Sequence, residues 1–124
     1  MKVFFTLISF LCVSAAFGQN LSYQGVTYFS EDVDSKQKSE QYYSHNGLIK
    51  VLETDKKITT PSSIYYIQSK NIENGVVVYH CTGRDTFMNE VPIKIEYDRF
   101  YQRVKISNEG EMAEANYSVY FLVK

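Results

Sequence analysis

His80 and Cys81 are the first residues to weigh, because an imidazole beside a thiol is one way a chain makes a thiolate nucleophile. The two are adjacent within Val76-Val77-Val78-Tyr79-His80-Cys81, a run whose composition reads as a β-strand. Neighbours on a strand point to opposite faces. His80 is therefore not placed to take the Cys81 proton, and the expectation is a free thiol at Cys81 buried as a small hydrophobe. His45, the other histidine, falls in a turn-like segment, and this set lacks the paired close spacing of a structural zinc site. Glu31-Asp32-Val33-Asp34 clusters carboxylates but has neither the glycine nor the distal glutamate of a helical calcium loop, so it reads as a solvated acidic loop. There is no glycine-rich phosphate loop, no G-x-S-x-G and no H-E-x-x-H. The sequence thus points to no catalytic, metal or cofactor residue, and to a protein that is not an enzyme. A hydrolase working with scattered carboxylates is the alternative.

Binding chemistry is better represented. Eleven tyrosines occur with no tryptophan, and Tyr42-Tyr43 and Tyr65-Tyr66 are doublets. On a strand a doublet sends one ring inward and one outward, and an outward tyrosine offers a rigid surface with a hydroxyl handle. Thr82 to Glu90 is the longest connection in the strand-rich half and carries Arg84, Asp85, Phe87 and Met88. Loops on a rigid sheet are where recognition concentrates. Tyr65, Arg84, Asp85 and Phe87 are accordingly the candidate contacts to a protein, peptide or glycan partner. A formal net charge of −1 and the absence of a basic stripe argue against nucleic acid.

These residues must be held by extended segments. Tyr23–Phe29, Leu48–Glu53, Ile64–Ile67, Val76–Cys81, Ile93–Tyr97, Tyr101–Ile106 and Tyr117–Val123 each carry strand composition or period-two alternation. Asn46-Gly47 and Asn74-Gly75 supply hairpin-turn chemistry, and Tyr97-Asp98-Arg99-Phe100 reads as a further turn. Asp32–Gln41 has a single apolar residue and no face to bury, so it reads as a solvated loop; Glu111–Ala115 could form one helical turn. Short even spacing favours an antiparallel meander over parallel crossovers, which need a dozen or more residues each. The expected fold class is all-β: one antiparallel meander domain of about seven strands, a small barrel or a sandwich, with the barrel preferred because closure removes exposed edges.

The chain has 124 residues, enough for one domain. Met1-Lys2, the apolar run Val3–Val13 and the small residues Ser14–Gly18 match a secretory signal peptide. The expected cut lies between Gly18 and Gln19, with a cut after Ala16 as the alternative. Thr6, Ser9 and Ser14 interrupt the run, which is shorter than the ~20 apolar residues a spanning helix needs. Cys12 lacks the small residue expected just before a lipidated cysteine. The domain boundaries are then 1–18 for the signal and 19–124 for the β domain, with 19–47 less regular and 48–124 dense in strands. Export to the cell surface, the periplasm or the medium follows, with no membrane span after signal removal. Cys81 is left without an intrachain partner. Asn20-Leu21-Ser22 and Asn116-Tyr117-Ser118 match the N-glycosylation pattern.

The segments Ala15–Asn20, Asn74–Gly83 and Ile93–Asp98 resemble those of small, mostly uncharacterised β-rich proteins exported by Bacteroidota-type bacteria. Tyr79-His80-Cys81 is also similar to the Tyr-x-Cys segment of periplasmic C-type lysozyme inhibitors, which are small β-barrels. The second cysteine of their disulfide and their Ser-Gly loop have no counterpart here, so no functional residue is carried over. The expected function is an exported, non-catalytic binding or surface module, with a secreted inhibitor or immunity-type protein acting on a hydrolase as the alternative.

Overall fold

The computed structural model describes residues 18–32, 34–84, 87–109 and 116–123. The signal segment before Gly18, the candidate contact Asp85 and the helical turn expected at Glu111–Ala115 lie outside the described residues. Nine strands are present among those described: β1 Gln19–Glu31, β2 Lys38–Tyr43, β3 Gly47–Leu52, β4 Lys57–Thr59, β5 Ile64–Glu73, β6 Val76–Arg84, β7 Glu90–Asp98, β8 Arg103–Asn108 and β9 Asn116–Leu122. From β3 to β9 each strand pairs antiparallel with the next, and β9 returns to β1. β1, β3 and their successors close an eight-stranded barrel, and β2 is an extra strand outside it. The meander is all-β and antiparallel, and it is a barrel rather than a sandwich.

β1 makes the closure possible. Its first half, Gln19–Tyr23, pairs with β3, and its second half, Val26–Glu31, pairs with β2. Its other edge runs along β9 from Tyr23 to Ser30. A register shift between Tyr23 and Gly25 bends the strand where it changes partners. The 19–47 region, expected to be less regular, holds the longest strand among the described residues, 13 residues. The bulge shifts the side-chain phase, so the inward set Leu21, Tyr23, Val26 is not a period-two series in the sequence.

Two strands were not foreseen. β2 forms where a solvated loop was expected, and all six of its residues are exposed. It has no apolar signature because main-chain pairing to β1 holds it, with no core face. β4 is only three residues long, anchored by the fully buried Ile58. Conversely, Tyr101 belongs to the β7–β8 turn, where Asp98 accepts hydrogen bonds from the Phe100 and Tyr101 amides at 3.0 and 3.1 Å. The turn therefore takes Tyr101 away from the strand that its composition suggests.

Inside the barrel, Val26, Ile49, Ile58, Ile95 and Val104 are sealed from solvent, with Tyr23, Tyr79, Tyr97 and Tyr120 packed among them. β6 sends Val77, Tyr79 and Cys81 inward. Val78, on its outer face, is also buried but stands apart from this core cluster. Asn74 and Gly75, at φ of 52° and 83°, form the two-residue turn between the paired residues Glu73 and Val76, as Asn-Gly chemistry anticipates. Asn46-Gly47 does something different. β2 and β3 share one edge of β1 rather than pairing with each other, so this dipeptide is no hairpin turn. Gly47 is required because a Cβ there would lie 2.1 Å from the Tyr23 hydroxyl oxygen.

Candidate binding cleft at one end of the barrel

The β4–β5 turn, the end of β6, the start of β7 and the end of β8 share one end of the barrel, here the upper end. An open cleft of about 1110 Å3 lies there, lined among others by Thr59, Tyr65, Tyr66, Arg84, Met88 and Val91. Its rim is stiff on one side. Pro61 sits in the four-residue β4–β5 turn, Thr60 N–H donates to the Ser63 carbonyl at 2.9 Å, and Thr60 Oγ1 accepts from the Ser63 amide at 3.1 Å. On the opposite side Arg84 Nη1 donates to the Met88 carbonyl at 2.9 Å, fastening the β6–β7 connection back onto β6. Met88 holds a φ of 66°, a left-handed conformation that L-residues with long side chains adopt only at a cost.

Two of the four sequence-derived contacts meet at this cleft. Tyr65 is half-buried and lies across Gly83, where an added Cβ would come within 3.1 Å of its ring. Gly83 is thus the small residue that lets the phenol close the barrel mouth, a signal present in Thr82-Gly83-Arg84. Among the described residues, Arg84 is the one charged residue lining the cleft. Phe87 stands on the same connection with 83% of its surface exposed, next to Met88 at 68%. Across the cleft Ile64 and Tyr66 are half exposed. The Tyr65-Tyr66 doublet splits inward and outward as its spacing implies. Tyr42-Tyr43 does not hide a ring, because β2 lies outside the barrel and both rings stay exposed.

The histidine and the cysteine part company. Cys81 is buried in the core, and burial pushes its thiol up to about 12, with the Glu109 carboxylate adding to the shift. A thiol so held carries almost no thiolate near neutrality. His80 faces out of the barrel, where its Nδ1 lies 2.5 Å from Glu109 Oε1. Among the described residues no group of three or more His, Cys, Asp or Glu side chains converges as a metal site would require.

One polar cluster had no forewarning. At the lower end Glu53 Oε1 accepts from Lys70 Nζ at 2.7 Å and from the Tyr79 hydroxyl at 2.9 Å. The Lys70 bond holds the Glu53 carboxyl below its ordinary range, and burial together with Glu53 raises the Tyr79 phenol far above its own. These residues are distant in sequence. Lys70 reaches Tyr79 because a register shift between Ile67 and Ser69 sets the two opposite each other on β5 and β6. Apart from Glu109 on His80, acids such as Asp32 and Glu96 shape turns or pair locally: Asp32 caps the Asp34 and Ser35 amides, and Glu96 lies 3.7 Å from Lys94.

A scan against family models, a search of curated proteins and a search of solved structures each find no match to this chain.

Proposed function

We propose that this chain is an exported, non-catalytic β-barrel that binds a peptide or protein partner through the upper cleft. The observation that carries the reading is the gathering of exposed apolar side chains on both sides of that cleft: Ile64 and Tyr66 on one and Met88 on the other, with the exposed Phe87 beside Met88 in the chain. Exposed aromatic and methionine side chains rimmed by hydroxyl groups are the composition of a recognition surface, and Arg84 among them supplies orientation. Rigid rims on both sides lower the ordering cost of binding. The separation of His80 and Cys81 onto opposite faces supports a role without covalent chemistry.

The test is selection of a random peptide library on the purified protein. Enriched sequences should share an apolar anchor and bind with at least tenfold loss to a Tyr66→Asp, Phe87→Asp variant. Enrichment that is indifferent to those substitutions would overturn the reading.

The clamped β6–β7 connection favours a second reading, an inhibitor that presents Phe87 and Met88 to the cleft of a hydrolase. Direct assays against lysozymes and proteases test it. Inhibition that vanishes in Phe87→Ala supports it, and uninhibited activity across the panel removes it.

A further inference from the structure

Closure of β1 on β9 leaves the barrel strands paired, yet the chain adds β2 beyond the closure, where among the described residues it pairs with β1 alone. A strand with a free edge and no buried residue gains little by itself, since an isolated hairpin is marginal in water. Its value lies at the open edge. Natural proteins cover such edges or block them, because unpaired amides and carbonyls template another strand.

The bonding phase of that edge follows from the hairpin. Asp32 N–H donates to the Gln37 carbonyl at 2.8 Å, and antiparallel ladders alternate, so Gln37, Ser39, Gln41 and Tyr43 bond toward β1. The amides and carbonyls of Lys38, Glu40 and Tyr42 therefore point away from the sheet. A second copy approaching antiparallel about a two-fold axis normal to the sheet keeps both faces aligned, so the axis must pass a residue facing itself. Centring on Glu40 would set two carboxylates against each other. Centring on Ser39 sets Lys38 of each copy against Glu40 of the other, two opposite-charge pairs on one face with four outward main-chain bonds.

We propose that β2 is a self-association edge, pairing antiparallel with β2 of a second copy in the register centred on Ser39. Tyr42, exposed and 6.2 Å from the Phe121 ring, extends the contact on the outer face, and Tyr43, 5.6 Å from Tyr28, extends it on the other. An interface of one short strand per copy falls below the ~1,200 Å2 of stable complexes, so the dimer is a weak one. This surface and its test are independent of the upper cleft.

The register gives a sharp experiment. Ser39 facing itself is a non-bonded pair with Cα atoms ~4.5 Å apart, inside the range a disulfide spans. Mild oxidation should link Ser39→Cys into a dimer in high yield. Gln41→Cys, with its two Cα atoms ~13 Å apart in this register, should stay monomeric. Buried Cys81 does not compete. By sedimentation the wild-type protein should dimerise as concentration rises toward millimolar. Lys38→Glu should weaken that at least tenfold, and Lys38→Glu, Glu40→Lys should restore it. Circular dichroism of each variant confirms the folded barrel. A monomer at every concentration, crosslinking at Gln41→Cys in place of Ser39→Cys, or a charge swap without effect overturns the proposal.

Discussion

The Tyr79 hydroxyl, rooted in the barrel core, donates to Glu53 at the lower end across 2.9 Å, and Lys70 holds the same carboxylate oxygen at 2.7 Å. Three strands or their ends thus meet at one oxygen. The Glu53 carboxyl titrates below its ordinary value in the folded state, chiefly through Lys70. A group with a lowered folded value contributes stability above the unfolded value, near ~4.3, and loses it as pH falls through the folded one. Glu53 and Lys70 are each somewhat under half exposed, so solvent screening keeps that contribution small. The hydroxyl bond is more sheltered. Tyr79→Phe should cost about 1.5–3 kcal/mol at pH 7, the usual worth of a bond to a charged acceptor. In urea melts at pH 7 and pH 3, Glu53→Gln should lower the midpoint at pH 7 and narrow the gap between the two conditions. An unchanged gap would remove Glu53 from the acid response.

Alkaline conditions act on the opposite wall of the stability range. Burial raises the Cys81 thiol to about 12 and the Tyr79 and Tyr120 phenols higher still. Each raised acid favours its neutral form in the folded state. Its contribution is full below the unfolded value and is lost as pH rises toward the folded one. For Cys81 that window opens at about 8.5, before the phenols begin near 10. Midpoints measured from pH 8 to pH 11 should therefore fall progressively, and Cys81→Ala should flatten the early part of the decline. Peptide mapping after treatment with a thiol probe should find Cys81 unlabelled in the native protein and labelled in urea. Rapid native labelling would contradict a sealed thiol.

The same residues mark what sequence can and cannot carry. Ile93–Tyr97 declares itself because one side faces the core and writes apolar alternation into the chain, while Val76–Cys81 and Tyr117–Val123 declare themselves by β-branched and aromatic composition. β2 is invisible for the converse reason: Lys38–Tyr43 is held by main-chain bonds, which leave no trace in side-chain type. Tyr65 and Arg84 can be singled out from the sequence as candidate contacts because a tyrosine doublet and a charged segment after a strand can each be read locally, and the structure places both at the upper cleft. Their partners Ile64 and Met88 gain meaning only once the barrel brings β5 and β6 together. Glu53, Lys70 and Tyr79 were beyond reach, since a register shift in β5 decides their meeting and nothing in Ile67-Gln68-Ser69 announces it.

Gly47 and Tyr23 form a coupled pair. A Cβ on Gly47 would sit 2.1 Å from the Tyr23 hydroxyl oxygen and 2.3 Å from its ring carbon, while that ring also packs edge-on against Tyr120 at 4.9 Å. The ring is buried and flanked, so it cannot swing clear without disturbing the core. Gly47→Ala should destabilise by about 1–3 kcal/mol through overpacking. In a Tyr23→Ala background the same change should cost much less, because the obstructing ring is gone. Chemical denaturation of the four proteins of that cycle gives the coupling directly. Additive effects would mean the two residues do not touch.

Arg84 and Met88 govern the loop that carries Phe87. The guanidinium fastens the Met88 carbonyl, and Met88 pays for the bend with a φ of 66°. Arg84→Ala removes the fastening at a solvent-facing position, so global stability should change by no more than about 0.5 kcal/mol. Local order should change far more. Hydrogen exchange should accelerate across Phe87–Asn89 while the amides of β6 below Gly83 keep their protection. Met88→Gly relieves the left-handed strain but enlarges the freedom of the unfolded loop, and these two effects oppose each other within about 1 kcal/mol. Arg84→Ala and Met88→Gly therefore separate tethering from strain. If exchange in the loop rises only with Arg84→Ala, the arginine sets its order; if it rises equally in both, backbone conformation does.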